Sequence, residues 1–188
     1  FGTPVMEIDK HATRVTALSV SASGQILASG DESGSIRLLL LRQLDMFNIR
    51  PSVKFKTDTS GATVIDTVRE HSIPTLPLGG RKAFTAHGGP VFALQWLPFA
   101  MGPNARRSYL LCSGSADHVV RFWHVRATVD GLTLSPLLHL DIQSSVILCM
   151  TSYFLDSSTM TPFEAAKTGG SVLLAAGTDT GTVYVWNI

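Results

Sequence analysis

Three stretches of this chain repeat one another without a gap. Leu27–Leu39 reads LASGDESGSIRLL, Leu111–Trp123 reads LCSGSADHVVRFW and Leu174–Trp186 reads LAAGTDTGTVYVW. Gly30, Gly114 and Gly177 each stand nine residues before the last position, and Ile36, Val120 and Val183 stand three before it. Equal spacing at three places marks a repeat architecture, in which one small unit is stacked on copies of itself. Small and apolar residues lead to a glycine, then a polar turn, then alternating β-branched residues, which is the pattern of strand, turn, strand.

Each repeat has further strands upstream. Apolar runs at Val15–Val20, Val91–Trp96 and Val146–Thr151 supply a first strand, a, ahead of the repeated strands b and c. Shorter runs at Val5–Ile8, Lys82–Thr85 and Leu137–Leu140 supply a strand d ahead of each unit. The order d, a-b-c-d, a-b-c-d, a-b-c predicts twelve strands in three antiparallel sheets.

These units resemble the blades of WD-repeat β-propellers. His11 and His87 each lie four residues before the first valine of strand a. His87, Ser113, Asp117 and Trp123 fall where that family's hydrogen-bonded structural tetrad sits, and such a set satisfies polar groups buried at a blade edge. The other units depart from the pattern. The first has His11 and Ser29, with Ser33 in place of the Asp and Leu39 in place of the Trp. The third keeps Trp186, with Ile142, Ala176 and Thr180 in place of the His, Ser and Asp. The predicted fold is an all-β, WD-repeat-like partial propeller over residues 1–188: a strand d at 4–8, a blade at 11–41 with its strand d at 82–85, a blade at 87–140 and a blade at 144–188.

Three insertions separate the strands. Residues 42–81 lie between c and d of the first unit, and 97–107 and 152–170 lie between a and b of the other two. In a meander the a–b and c–d connections leave at one end of every blade, so all three insertions decorate one face. Long loops on a rigid β scaffold are where binding is usually placed. The first insertion carries Arg50 and Lys54, with Val64, Ile65 and Val68 available to pin a short element. The second carries Phe99, Arg106 and Arg107, an aromatic-plus-basic tip. Arg50, Lys54, Phe99 and Arg106 are therefore the candidate partner contacts.

Composition removes several alternatives. Fifteen basic and fourteen acidic residues give a net charge of +1, so no global field points to nucleic acid or an anionic membrane. An apolar fraction of 45% against 15% charged argues for a packed core. No apolar run reaches the length of a membrane span. Cys112 and Cys149 lie in apolar runs of different blades and read as buried, reduced thiols. His118 and His124 share a side of strand c, but His87 and Asp117 already have a structural role and no tight ligand spacing is present, so no metal, cofactor or catalytic site is expected.

The functional expectation is a non-catalytic scaffold that binds other proteins of a multiprotein complex through the inserted face. The competing class is a nucleic-acid-binding module using Arg106, Arg107, Arg121 and Arg126, with Arg121 pointing outward from strand c and Arg126 opening the next loop. The setting is expected to be intracellular, cytoplasmic rather than nuclear. The chain opens with Phe1, and three blades do not close a ring. It is therefore expected to be part of a larger propeller whose missing blades come from a longer parent chain or, as the alternative, from a second copy.

Overall fold

The computed structural model describes residues 11–41, 55–57, 63–65, 83–98, 108–128, 131–155 and 171–188. Every regular element among them is a strand. In chain order they are β1 (Val15–Val20), β2 (Ile26–Asp31), β3 (Ser35–Leu40), β4 (Phe55–Thr57), β5 (Thr63–Ile65), β6 (Phe84–Thr85), β7 (Val91–Leu97), β8 (Ser108–Ser115), β9 (Val119–Thr128), β10 (Gly131–Asp141), β11 (Ile147–Leu155), β12 (Ser171–Thr178) and β13 (Val183–Asn187). The first blade has the order β1-β2-β3-β6, the second β7-β8-β9-β10 and the third β11-β12-β13. All neighbours are antiparallel.

A separate compact unit comprises residues 1–10 and 42–80. Its described part is a two-stranded antiparallel sheet in which Phe55–Thr57 pairs with Thr63–Ile65. The expected strand at 4–8 lies outside the described residues.

The first strand of every blade carries the same irregularity. Val15 faces Asp31 and Ala17 faces Gly30; Val91 faces Ser115 and Ala93 faces Gly114; Ile147 faces Thr178 and Cys149 faces Gly177. One extra residue, Thr16, Phe92 or Leu148, bulges between them. Side chains two apart on a regular strand share a face. The bulge breaks that rule and turns Val91 and Ile147 back toward the preceding blade, while Ala93 and Cys149 face forward.

Those turned side chains lock the blades together. A Cβ on Gly30 would lie 2.7 Å from Val91 Cγ1, and one on Gly114 would overlap Ile147 Cγ2. Glycine is required at both places because the neighbouring blade occupies the space of its side chain. Around these points two dry layers form. Ala17, Ile26, Ala28 and Ile36 of the first blade meet Leu94, Trp96, Leu111 and Val125 of the second. Ala93, Cys112, Val120 and Phe122 of the second meet Val172, Leu174 and Ala176 of the third. At their rims the Trp96 indole N–H donates to Ser19 O at 3.0 Å, and the Gln95 amide donates to Ser152 Oγ at 3.1 Å.

Three details differ from the sequence expectation. The third blade's first strand starts at Ile147 and runs to Leu155, so Ser152–Leu155 pair with β12 where an insertion from 152 was expected. The second blade's last strand is the full β10, because only residues 129–130 separate β9 from β10 and pairing begins at once. Pro136 is tolerated there because β10 is an edge strand and the register shifts beside it. Cys149, expected to be buried, is exposed, because it lies on the face of the third blade that points away from the second. Cys112 is buried, and burial pushes its thiol far above the usual range.

Gly30→Ala and Gly114→Ala are each expected to lower stability by about 1–3 kcal/mol, as overpacking of a filled interior does. Among the described residues, the atom near an added Cβ at Gly177 is Cys149 Sγ, at 2.8 Å, the end of an exposed side chain. Gly177→Ala should therefore cost less than either. Urea midpoints of the three variants measure the order; equal losses would contradict the interlock.

Candidate functional site

The densest polar cluster sits where the second blade's outer turns meet. Strand β9 brings Trp123 beside Ser113 of β8, and the approach to β7 brings His87 over both. The Trp123 indole N–H donates to Ser113 Oγ at 2.7 Å. Ser113 Oγ lies 2.6 Å from His87 Nε2, and His87 Nδ1 lies 2.9 and 3.0 Å from the two Asp117 oxygens. Because Ser113 accepts from the indole, its own proton goes to Nε2, which puts the imidazole proton on Nδ1, donated to Asp117. His87 also meets Trp123 edge to face, with ring centroids 6.4 Å apart.

Arg121 joins this set. Its Nη1 donates to Ala86 O at 2.6 Å and to Asp117 Oδ2 at 3.0 Å, and lies 3.0 Å from His87 Nδ1. Asp117 further accepts the Gly88 N–H at 3.0 Å. Burial raises the Asp117 pKa, but the Gly88 N–H, His87 and Arg121 together hold its carboxyl below the ordinary 3.8. Burial lowers the His87 pKa below 6.5, and Arg121 adds to this against the pull of Asp117. The ring is therefore neutral at pH 7, as the hydrogen-bond chain requires.

Ser113, His87 and Asp117 have the connectivity of a hydrolytic Ser–His–Asp triad. A nucleophile must be reached by substrate, and Ser113 is fully buried under the Trp123 indole. The arrangement serves as a latch that satisfies buried polar groups.

The first blade builds the same latch with its carboxylate moved. His11 Nε2 lies 2.6 Å from Ser29 Oγ, and His11 Nδ1 lies 2.6 Å from Asp31 Oδ2. Asp31 is buried, and its Oδ1 accepts the Ser33 N–H at 2.9 Å, the Ser33 hydroxyl at 2.6 Å and the Ser35 N–H at 3.0 Å. Burial raises its pKa, while Ser33, His11 and Ser35 bring it below 3.8. Matching Ser33 to the Asp position thus missed the carboxylate, which stands two residues earlier. The available signal was an order swap: Asp31-Glu32-Ser33 against Ser115-Ala116-Asp117. In the third blade hydroxyls fill both places, with Thr178 Oγ1 and Thr180 Oγ1 2.9 Å apart, while Asp179 accepts the Val146 N–H at 2.8 Å.

The candidate contacts Arg50, Lys54, Phe99 and Arg106 lie outside the described residues, as does Arg107. The other two arginines of the supposed basic patch are described, and they do not form one. Arg121 turns into the latch and does not project outward. Arg126 is inside β9, opposite Ser108 and Thr133, and is not in a loop. Five positions separate them on a regular strand, so they sit on opposite faces. His124 hydrogen-bonds Ser108, and His118 occupies the turn before β9 with φ +66°. Among the described residues no three His, Cys, Asp or Glu side chains gather as metal ligands.

Asp117→Ala orphans His87, Arg121 and the Gly88 N–H and should cost about 1–3 kcal/mol; Asp31→Ala should cost a similar amount although it stands at a different repeat position. Chemical denaturation of the two variants compares them. A pH dependence follows as well. The neutral His87 contributes stability above pH 6.5 that is lost as pH falls toward its lowered folded value. The depressed Asp117 and Asp31 lose theirs only as pH falls below 3.8. Melting temperature should therefore fall on acidification from about pH 7 to about pH 5, and His87→Gln should reduce that fall.

A family model described as "WD domain, G-beta repeat" matches residues 2–38 and 81–124. Among solved structures the chain is similar to one titled "Crystal structure of RRP9 WD40 repeats", with 20% identity and a TM-score of 0.47, covering 95% of this chain and 35% of that one. It is also similar to one titled "Structure of U3-55K", with 16% identity and a TM-score of 0.44, covering 95% of this chain and 38% of that one. The chain thus spans little more than a third of either structure. No curated protein matches it. The third unit, outside both matched segments, repeats the antiparallel registers and the bulge of the other two. Residues 2–38 and 81–124 thus match the WD repeat, and the antiparallel blades that they enter are all-β.

Proposed function

We propose that this chain is a non-catalytic binding platform, and that its partner proteins dock on the blade edge where the long connections leave. The observation that carries the reading is an asymmetry between the two blade edges. At one edge the turns are short, spanning 32–34, 116–118 and 179–182, and their polar groups are spent within the blades. At the other edge the connections include 41–54, 98–107 and 156–170. The Leu41 N–H donates to Gln25 O at 2.6 Å, so the chain leaves the first blade beside its a–b turn. Arg50, Lys54, Phe99 and Arg106 lie on connections of this kind. A rigid scaffold with long polar and aromatic connections suits recognition of extended protein surfaces. The triad-like set of the second blade is enclosed, with Ser113 buried under the Trp123 indole.

The nucleic-acid reading has no comparable support. Arg121 is committed to Asp117, and Arg126 is on the opposite sheet face.

Replacing residues 98–107 by an Asn-Gly turn should leave the melting temperature within about 3 °C. It should weaken capture of protein partners from native lysate by about tenfold or more. Capture that is unchanged in a folded variant would overturn the assignment of this edge. Capture that collapses on raising salt and on nuclease treatment would favour nucleic acid instead.

A further inference from the structure

We propose that the latch of the second blade is a proton-operated clasp: a proton taken up at His87 Nε2 drives Arg121 out of its bonds to Ala86 and Asp117 and frees its guanidinium at the short-turn edge. Two donors share one carboxylate here. The Asp117 oxygens accept from His87 Nδ1 at 2.9 and 3.0 Å and from Arg121 Nη1 at 3.0 Å. Arg121 Nη1 and His87 Nδ1 are themselves 3.0 Å apart. Both nitrogens carry protons in this arrangement, and both point at Asp117. While the ring is neutral, Arg121 and Asp117 balance each other. Ring protonation sets a second cation against the first, with one carboxylate to answer both.

The groups around the ring are few. Among the described residues, the charged groups that act on His87 are Asp117, from the turn before β9, and Arg121, from β9 itself. Strand β8 supplies Ser113 and β9 supplies Trp123, both uncharged. Strand β10 places His139 opposite Arg121 in the register, where it is exposed.

Of the three sharing members, Arg121 is the one that can leave. The His87 side chain is 0% exposed. Asp117 is tied down by the Gly88 N–H at 3.0 Å and the Val119 N–H at 3.2 Å. The Arg121 side chain is 30% exposed, and its Nη1 leaves two oxygens for water. On the other side of the ring, Ser113 Oγ has lone pairs for both the indole and a ring N–H, and its hydroxyl turns about its own bond. Burial, with Arg121 adding to it against Asp117, holds the ring neutral at pH 7, so the clasp opens only as pH falls below 6.5. The open state keeps a His87–Asp117 ion pair and sets one free cation beside His139. This edge is opposite the long connections, so the clasp stands apart from the docking proposal.

The test follows the 188-residue chain by NMR from about pH 7.5 to about pH 5. It reads the His87 ring carbon shifts and the water exchange of the Arg121 Nε–H, taken as a ratio to that of exposed Arg14. The expected result is a His87 titration in the folded chain, with an exchange ratio that rises about tenfold along the same curve. Arg121→Gln removes the competing cation and should raise the His87 titration midpoint by about one pH unit, a tenfold gain in proton affinity; Arg121→Lys should restore most of the wild-type midpoint. In folded His87→Gln the exchange ratio should stay flat. Should that variant not fold, the wild-type ratio and the Arg121→Gln midpoint decide the matter. A ring that stays neutral until the chain unfolds overturns the proposal. So does a ring that titrates while the Arg121 ratio stays constant, or an Arg121→Gln midpoint equal to that of the wild type.

Discussion

Everything in the blades depends on a β-branched side chain entering the space left by a glycine in the blade before. Val91 at Gly30 and Ile147 at Gly114 set how closely adjacent sheets approach. The approach is close enough to close a dry layer of Ile, Leu, Val and Trp on either side of the second blade. Apolar burial of this kind is the main favourable term in folding, and it is distributed between blades more than within them. A single sheet buries little alone: Val15, Leu18 and Val20 of the first blade and Val183 and Val185 of the third are exposed, while their equivalents between blades are buried.

The polar latches answer a cost that this packing creates. Beside the turns between strands b and c, the polar side chains of Asp31, His87 and Ser113 are buried and need partners. In the second blade His87, Ser113, Asp117, Trp123 and Arg121 share those groups among themselves. In the first, His11, Ser29, Asp31 and Ser33 do so with the carboxylate two residues earlier. In the third, threonines and an exposed Asp179 suffice. The requirement is for satisfied donors and acceptors at one place, so different residues at neighbouring positions meet it.

Legibility in the sequence followed physical locality. Strand–turn–strand units were readable because alternation and turn residues act over a few positions. The position of a carboxylate was not, because Asp31 and Asp117 reach the same imidazole geometry from different turn positions. The arginines failed for a related reason. Alternation assigns Arg121 a sheet face, but only the presence of Asp117 and the Ala86 carbonyl in space turns it into the latch. Cys149 read as buried because its run is apolar, whereas its exposure depends on whether a blade lies beyond it.

The sequence by itself determined the repeat, the strand count of each described unit and the glycines at matching positions, since these rest on period and backbone freedom. Only the tertiary structure decided which way each first strand turns its leading valine or isoleucine. That choice is made by a one-residue bulge, and nothing in the composition of Thr16, Phe92 and Leu148 announces it. A bulge flips the side chains on one side of it relative to those on the other. The interlock between blades follows from that flip.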